Sequence, residues 1–378
     1  MLAVGGLIAM ASAIGIGRFI YTPILPPMVE DLNLTKGEAG LVAAANFIGY
    51  LVGALAAAAP GARGASRSML LATLAVSAAT TAAMSWSHGM GGFLGWRFLG
   101  GAASAYVLVL SSALVLERLT AAGHGHLSAI HFAGVGVGIA VSSLLTWALD
   151  VAGADWRAMW LGGGVLSLAG LAAVAALVPP LAAPSAPSLS GAPAAADARL
   201  KPLTLAYGLF GFGYVITATF IVVIVRASPS ASQIEPLFWL VLGLSAIPSV
   251  ALWVWAGRQL GILKAFAIAC IAEAVGVFAS VAWPGVAGLF VAATLLGGTF
   301  MGITALGLVA ARNLAPANPR RWLAILTAAF GLGQIVGPIV AGYGFDLTGS
   351  FFLPSMLAVA ALCTAAILAF GIDRGHSA

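Results

Sequence analysis

Apolar residues run along this chain in long unbroken stretches, separated at near-regular intervals by short polar turns. Each stretch reaches the roughly 20 residues that a helix needs to cross a hydrocarbon core of about 30 Å. The apolar runs are continuous, not alternating, which excludes an outer-membrane barrel. The pattern predicts twelve helices, over 2–28, 38–60, 68–87, 90–116, 127–149, 157–179, 203–226, 235–256, 263–283, 285–311, 322–345 and 350–371. Between the sixth and seventh, Pro179 to Pro202 is rich in Pro, Ala and Ser, a composition that suits a flexible linker. The expectation is an all-α membrane protein of two six-helix bundles, 1–179 and 203–378, joined by a cytoplasmic linker over 180–202.

Composition sharpens this. Charged residues make up 7% and hydrophobic ones 61%, against about 25% charged in a soluble domain. A net charge of +5 would suggest nucleic acid in a soluble protein, but here its distribution between loops matters more. With the N-terminus in the cytoplasm, eleven Lys and Arg fall in inner segments and only Lys36, Arg157 and Arg226 in outer ones. Glu30, Asp31, Glu38, Asp150, Asp155, Glu235 and Asp346 fall outside. The positive-inside bias thus predicts both termini on the cytoplasmic side of the inner membrane. The first segment lacks a basic n-region and its apolar run continues past Ala13, so it reads as an uncleaved span. Cys270 and Cys363 lie inside apolar runs and give neither a disulfide framework nor metal-ligand spacing.

The halves echo each other. Gly15-Ile16-Gly17-Arg18 of the first span matches Gly211-Phe212-Gly213-Tyr214 of the seventh, an offset of 196 (214 − 18). Leu99-Gly100-Gly101 matches Leu296-Gly297-Gly298 at 197 (297 − 100), and Gly136-Val137-Gly138 matches Gly331-Leu332-Gly333 at 195 (331 − 136). Three matches in chain order at nearly one offset predict a duplicated six-helix unit. Parallel repeats of this kind are a transporter architecture, with solute bound near the midplane.

Arg18 carries the clearest chemistry. It lies inside the first apolar run, where a charge costs roughly 2.5–3.5 kcal/mol on insertion scales. Such a residue is kept where it faces a protein interior or a water-filled cavity. Tyr21 and Thr22 follow at i+3 and i+4 and share its face on a regular helix. Pro23 is the expected bend.

The residues resemble a known superfamily. Arg97-x-x-x-Gly101-x-x-x-Ala105 resembles the fourth-helix motif of the major facilitator superfamily, and Asp155-Trp156-Arg157-x-x-Trp160 the start of its sixth helix. The Gly15 to Pro26 run, Ile130 to Gly136, and Tyr207 to Tyr214 resemble its uncharacterised YbfB/YjiJ-like branch. One departure is clear: between the second and third helices, Gly53 to Arg63 holds no Asp, whereas the superfamily signature there has one. The resemblance implies a solute carrier working by alternating access, with helices 1, 4, 7 and 10 lining a central cavity.

On that expectation Arg18, Tyr21, Thr22, Tyr106, Tyr214 and Thr217 are candidate substrate contacts. A guanidinium gives bidentate bonds to a carboxylate, sulfonate or phosphate. A structural Arg18, bonding carbonyls near the Pro23 break, is the competing reading. Arg97, His131, Glu273, Gln334 and Pro338 are candidates for coupling or gating. Each has a bland alternative. Arg97 suits a lock between the first and fourth helices. It cannot share a face with Tyr106, nine residues on. His131 titrates near physiological pH but suits a packed face beside Gly134. Glu273 is the one acid at mid-span, and intramembrane acids are functional by default, yet helix 9 of this fold is peripheral. Gln334 and Asn46 suit interhelical glue, and Pro338 a bend.

No Gly-x-x-x-x-Gly-Lys-Ser/Thr run and no catalytic constellation occur. The reading is therefore not an enzyme, with no cofactor, no metal and no nucleic-acid partner. It is a monomeric secondary transporter among membrane lipids, moving a small organic anion coupled to protons. An efflux carrier for apolar or cationic drugs is the alternative, favoured by the apolar cavity walls and Met301.

Overall fold

The computed structural model describes residues 1–58, 66–180, 197–228, 230–283, 285–316 and 318–374. Most of the predicted linker, and Arg63 in the turn after the second helix, lie outside the described residues. Twelve helices are long and apolar enough to cross a membrane: α1 Leu2–Leu32, α2 Lys36–Ala57, α3 Arg67–Trp86, α4 Met90–Ala121, α5 Ser128–Val151, α6 Trp156–Leu177, α7 Leu200–Arg226, α8 Ser232–Leu260, α9 Ile262–Ala282, α10 Val286–Leu314, α11 Arg321–Thr348 and α12 Phe352–Asp373. All twelve predicted spans are present. Short polar signals end them. Asp155 caps α6 by accepting from the Ala158 N–H at 2.9 Å, and Ser66 caps α3 from the Met69 N–H at 3.3 Å.

α1 is not regular, and its break is not at Pro23. A π-helical segment spans Ala11–Ile16, a turn follows over 17–20, and α-helix resumes at Tyr21. Pro23 sits in the first turn of the resumed helix, where a missing N–H matters least. The widened segment shifts bonds to i+5, as from the Gly17 N–H to the Ser12 carbonyl at 2.9 Å. It leaves the carbonyls of Gly17 and Arg18 in need of donors. α4 carries a second π segment, Ser112–Leu116.

Packing repeats between the halves. α2 packs on α4, α3 on α4 and α6, and α1 on α5 and α6. α8 packs on α10, α9 on α10 and α12, and α7 on α11 and α12. The second set is the first shifted by six helices. The glycines found in the sequence make two of these crossings. A Cβ on Gly15 would lie 2.5 Å from the Gly138 Cα, and one on Gly333 within 3.0 Å of Gly211. The turns after α5 and α11 repeat too: Gly153 and Gly349, 196 apart (349 − 153), have φ of 73° and 70°.

The halves meet through α2–α11, α5–α8 and α1–α7. The membrane face that gathers Glu30, Asp346 and their fellow acids is called here the acidic face, and the opposite one the basic face. Thr22 donates to the Ala218 carbonyl at 3.0 Å, and Arg226 reaches Glu30 at 3.1 Å. Both pairs are 196 residues apart, so each joins equivalent positions of the two repeats. Asp346 of α11 accepts from the Lys36 and Gly37 N–H groups at 3.0 and 2.7 Å. Thr35 and Glu38 satisfy each other's N–H in a capping box. All these bonds lie toward the acidic face, which is sealed.

Asp346→Ala removes an acceptor worth about 1 kcal/mol by analogy with helix caps, about fivefold in population. Thr219→Cys, in a Cys270→Ala/Cys363→Ala background, is then expected to react about fivefold faster with an impermeant maleimide from the acidic face. An unchanged rate means that Asp346 does not hold the seal.

Candidate functional site

The break in α1 sets Arg18 apart from its neighbours. Arg18 is 6% exposed, and its Nε and Nη2 are buried with no hydrogen-bond partner. Its guanidinium carbon lies 4.0 Å from the Tyr50 ring centroid and 5.5 Å from that of Phe47, both on α2. Cation–π contact offsets part of the desolvation of the charge, by about 0.5–2 kcal/mol. It leaves the N–H donors unmet, and buried donors without acceptors are uncommon.

Arg97 lies beside it in a different state. Its Nη1 and Nη2 donate to the Gly17 and Arg18 carbonyls at 3.2 and 3.1 Å. Those are the acceptors that the irregular segment of α1 leaves free. Asn46 in turn donates to the Arg97 carbonyl at 3.0 Å. A Cβ on Gly101 would collide with the Asn46 carbonyl, so α2 and α4 touch backbone to backbone. Arg97 thus ties α4 to α1, and Arg18 is the guanidinium left with open valences. A small cleft lies against both arginines, lined also by Phe47, Thr22 and Thr219.

The second half presents an aromatic wall. Tyr214 stacks with Phe300 and Phe330, with centroids 5.8 Å away in each pair and rings tilted by 13° and 4°. Phe330 stacks in turn on Tyr207 at 5.1 Å. Phe19, next to Arg18, meets this wall edge-on at Phe300, 5.9 Å away. Gln334 donates through Nε2 to the Tyr214 hydroxyl. Tyr214 lies within electrostatic range of both Arg18 and Glu273.

Of the other candidates, Tyr21 and Thr22 line the same cleft as Arg18, and the rest do not. The Tyr21 hydroxyl donates to the Ala39 carbonyl at 2.8 Å, and that of Thr22 is engaged across the seam, so neither is free where it stands. Thr217 is buried with an unpaired Oγ1. Tyr106 is half-buried against a separate cluster that includes Leu70 and Leu74 of α3. His131 is fully buried, neither ring nitrogen has a partner, and it sits against Gly6 of α1. Glu273 is fully buried with both carboxyl oxygens unpaired. The Thr299 hydroxyl faces it but donates to its own helix, to the Leu295 carbonyl at 2.6 Å. Pro338 lies in the α2–α11 seam, its carbonyl against Gly40. Tyr50, Phe47, Phe300 and Phe330 were not singled out from the sequence. The one available signal was the spacing of Asn46, Phe47 and Tyr50 on one face of α2.

Two parallel six-helix repeats, sealed at one membrane face around a buried unpaired charge, define a secondary carrier of the major facilitator fold. The model for the family of the uncharacterised MFS-type transporter YbfB matches residues 10–370, and the chain belongs to that family. Among solved structures it is similar to the nucleoside transporter NupG, at 15% identity over 99% of each chain, TM-score 0.73. It is also similar to a bacterial homologue of the human lysosomal transporter Spinster. The inward-facing occupied form gives 13% identity, 98% and 96% coverage and TM-score 0.75. The inward-facing unoccupied form gives 14%, 99% and 96%, and 0.70. At these identities the likeness speaks for the fold alone. No curated protein gives a significant match.

Proposed function

We propose that this chain carries a small organic anion across the cytoplasmic membrane by alternating access, driven by protons. The observation that carries the reading is Arg18, a buried guanidinium with unpaired donors at the junction of the halves. A carboxylate or sulfonate supplies the acceptors that the protein does not. Residues 1–179 and 203–378 are the two moving bodies, working as one monomer. The basic face lies in the cytoplasm with both termini, a placement that the positive-inside bias of the loops supports. With the acidic face sealed, parting of the halves on the cytoplasmic side is the step that lets the solute enter or leave.

Glu273 is the proton carrier in this reading. It is a carboxyl with no partner, and Tyr214 lies in range of both it and Arg18. A proton on Glu273 removes one buried charge and a bound anion balances the other, so the halves re-pack around a neutral interior. Arg97, His131, Gln334 and Pro338 support the geometry. The test is uptake of a labelled anion panel into proteoliposomes, with and without a pH gradient. Glu273→Gln is expected to abolish gradient-driven accumulation while leaving solute exchange at equal pH within about twofold of the parent. Gradient-driven uptake that survives the substitution removes Glu273 from the mechanism.

The aromatic wall favours a second reading, efflux of apolar drugs, and a drug-susceptibility panel on an expressing strain separates the two. The positive charge of Arg18 argues against cationic cargo.

A further inference from the structure

We infer that the carried solute is a monoanion with a flat aromatic body, an aryl carboxylate or aryl sulfonate. The inference rests on the reading of Arg18 as the anion site and adds what the rest of the solute must be.

The count of open cations sets the charge. Two arginines lie at the site, and Arg97 already donates to the Gly17 and Arg18 carbonyls. Arg18 has both Nε and Nη2 unpaired where Arg97 has only Nε, and among the described residues no acid is bonded to either, so the open guanidinium fork is that of Arg18. One guanidinium balances one anionic group. A dianion would bring an unmatched charge into a dry site, which is costly.

The walls set the body. Around Arg18 on the first half stand Phe19, Phe47 and Tyr50, and against Phe19 the second half presents Phe300, stacked with Tyr214 and through it with Phe330. The facing rings are nearly parallel to one another, tilted by 4° and 13°. Phe19 meets them edge-on in the sealed state. When the halves part, a planar ring is the shape that enters between such walls with both faces covered, in the offset or edge-on arrangements aromatic pairs favour.

Polar groups on these walls are few. The Tyr214 hydroxyl is occupied by Gln334, and Asn46 Oδ1, beside Phe47, and Gln334 Oε1 are without partners. A sugar acid, a nucleoside or a zwitterion would bury more hydrogen-bonding groups than this site meets, and unmet groups reject a ligand strongly. An aryl acid needs its anionic group matched and little else.

The test is calorimetric binding to the purified full chain, with three probes of similar size: benzoate, cyclohexanecarboxylate and benzyl alcohol. Benzoate is expected to bind about tenfold tighter than cyclohexanecarboxylate, with no binding of benzyl alcohol. Phe330→Leu is expected to erase the advantage of benzoate and leave cyclohexanecarboxylate unchanged. Phe300→Leu, kept only if monodisperse, is the second variant. Equal affinity for the two acids overturns the aromatic inference and spares the anion reading. Benzyl alcohol binding as well as benzoate overturns the anion reading, and this inference with it. Failure of every aryl acid in a series from benzoate to naphthoate also overturns it.

Discussion

Replacing Arg18 with alanine is expected to weaken anion binding about a hundredfold or more, while the empty carrier unfolds at the same temperature or higher. Removing one partner of a buried, hydrogen-bonded charge pair costs about 2–5 kcal/mol, and each 1.4 kcal/mol is tenfold. The stability half follows from the unpaired nitrogens. A buried charge without acceptors stabilises nothing, so its loss relieves desolvation at the expense of the stacking on Tyr50. Arg18→Lys is expected to fall between, keeping charge but losing the planar fork. Calorimetry with the true solute and a thermal melt of the empty carrier read the two halves separately. A melt lowered by several degrees with binding intact would make Arg18 a structural residue.

Arg97→Ala is expected to do the reverse, destabilising the empty carrier by about 2–4 kcal/mol. Bonds to a charged donor contribute about 1.5–3 kcal/mol each in soluble proteins, and interhelical bonds in membranes average about 0.6. Two such bonds are lost, and the Gly17 and Arg18 carbonyls are left buried without donors. At membrane depth the penalty for such unmet carbonyls is large. Thermal unfolding in detergent checks it. An unchanged midpoint would mean that α1 holds its broken segment without α4. Two arginines at similar depth thus have opposite expected signatures, because one has two carbonyl acceptors and the other has none.

Much of the architecture was legible because its signals are coarse and strong. Runs of twenty apolar residues admit few alternatives, and loop charge and the 196-residue offset are long-range patterns that survive local ambiguity. The interior was less legible for the converse reason. Helices apolar all round give no period from which to tell the face that meets a partner from the face that meets lipid. Phe300 and Phe330 are therefore ordinary in the sequence and central in the fold. Tyr21 and Thr22 were grouped with Arg18 by assuming a regular helix. The turn over 17–20, after the π segment at Ala11–Ile16, interrupts that helix with no proline to announce it, although Tyr21 and Thr22 still line the Arg18 cleft. Their hydroxyls are engaged by the Ala39 and Ala218 carbonyls instead. The depth of Glu273 was readable, but its want of a partner was not, since that depends on side chains from other helices.

Contacts between equivalent residues carry an evolutionary consequence. Where Thr22 meets Ala218 and Glu30 meets Arg226, each position touches its own copy, as at the centre of a symmetric dimer. Had the two copies stayed identical after duplication, Glu would have faced Glu there and Arg would have faced Arg. The present attraction therefore exists only because the copies drifted apart, and an early gene fusion was the step that let one partner change without the other.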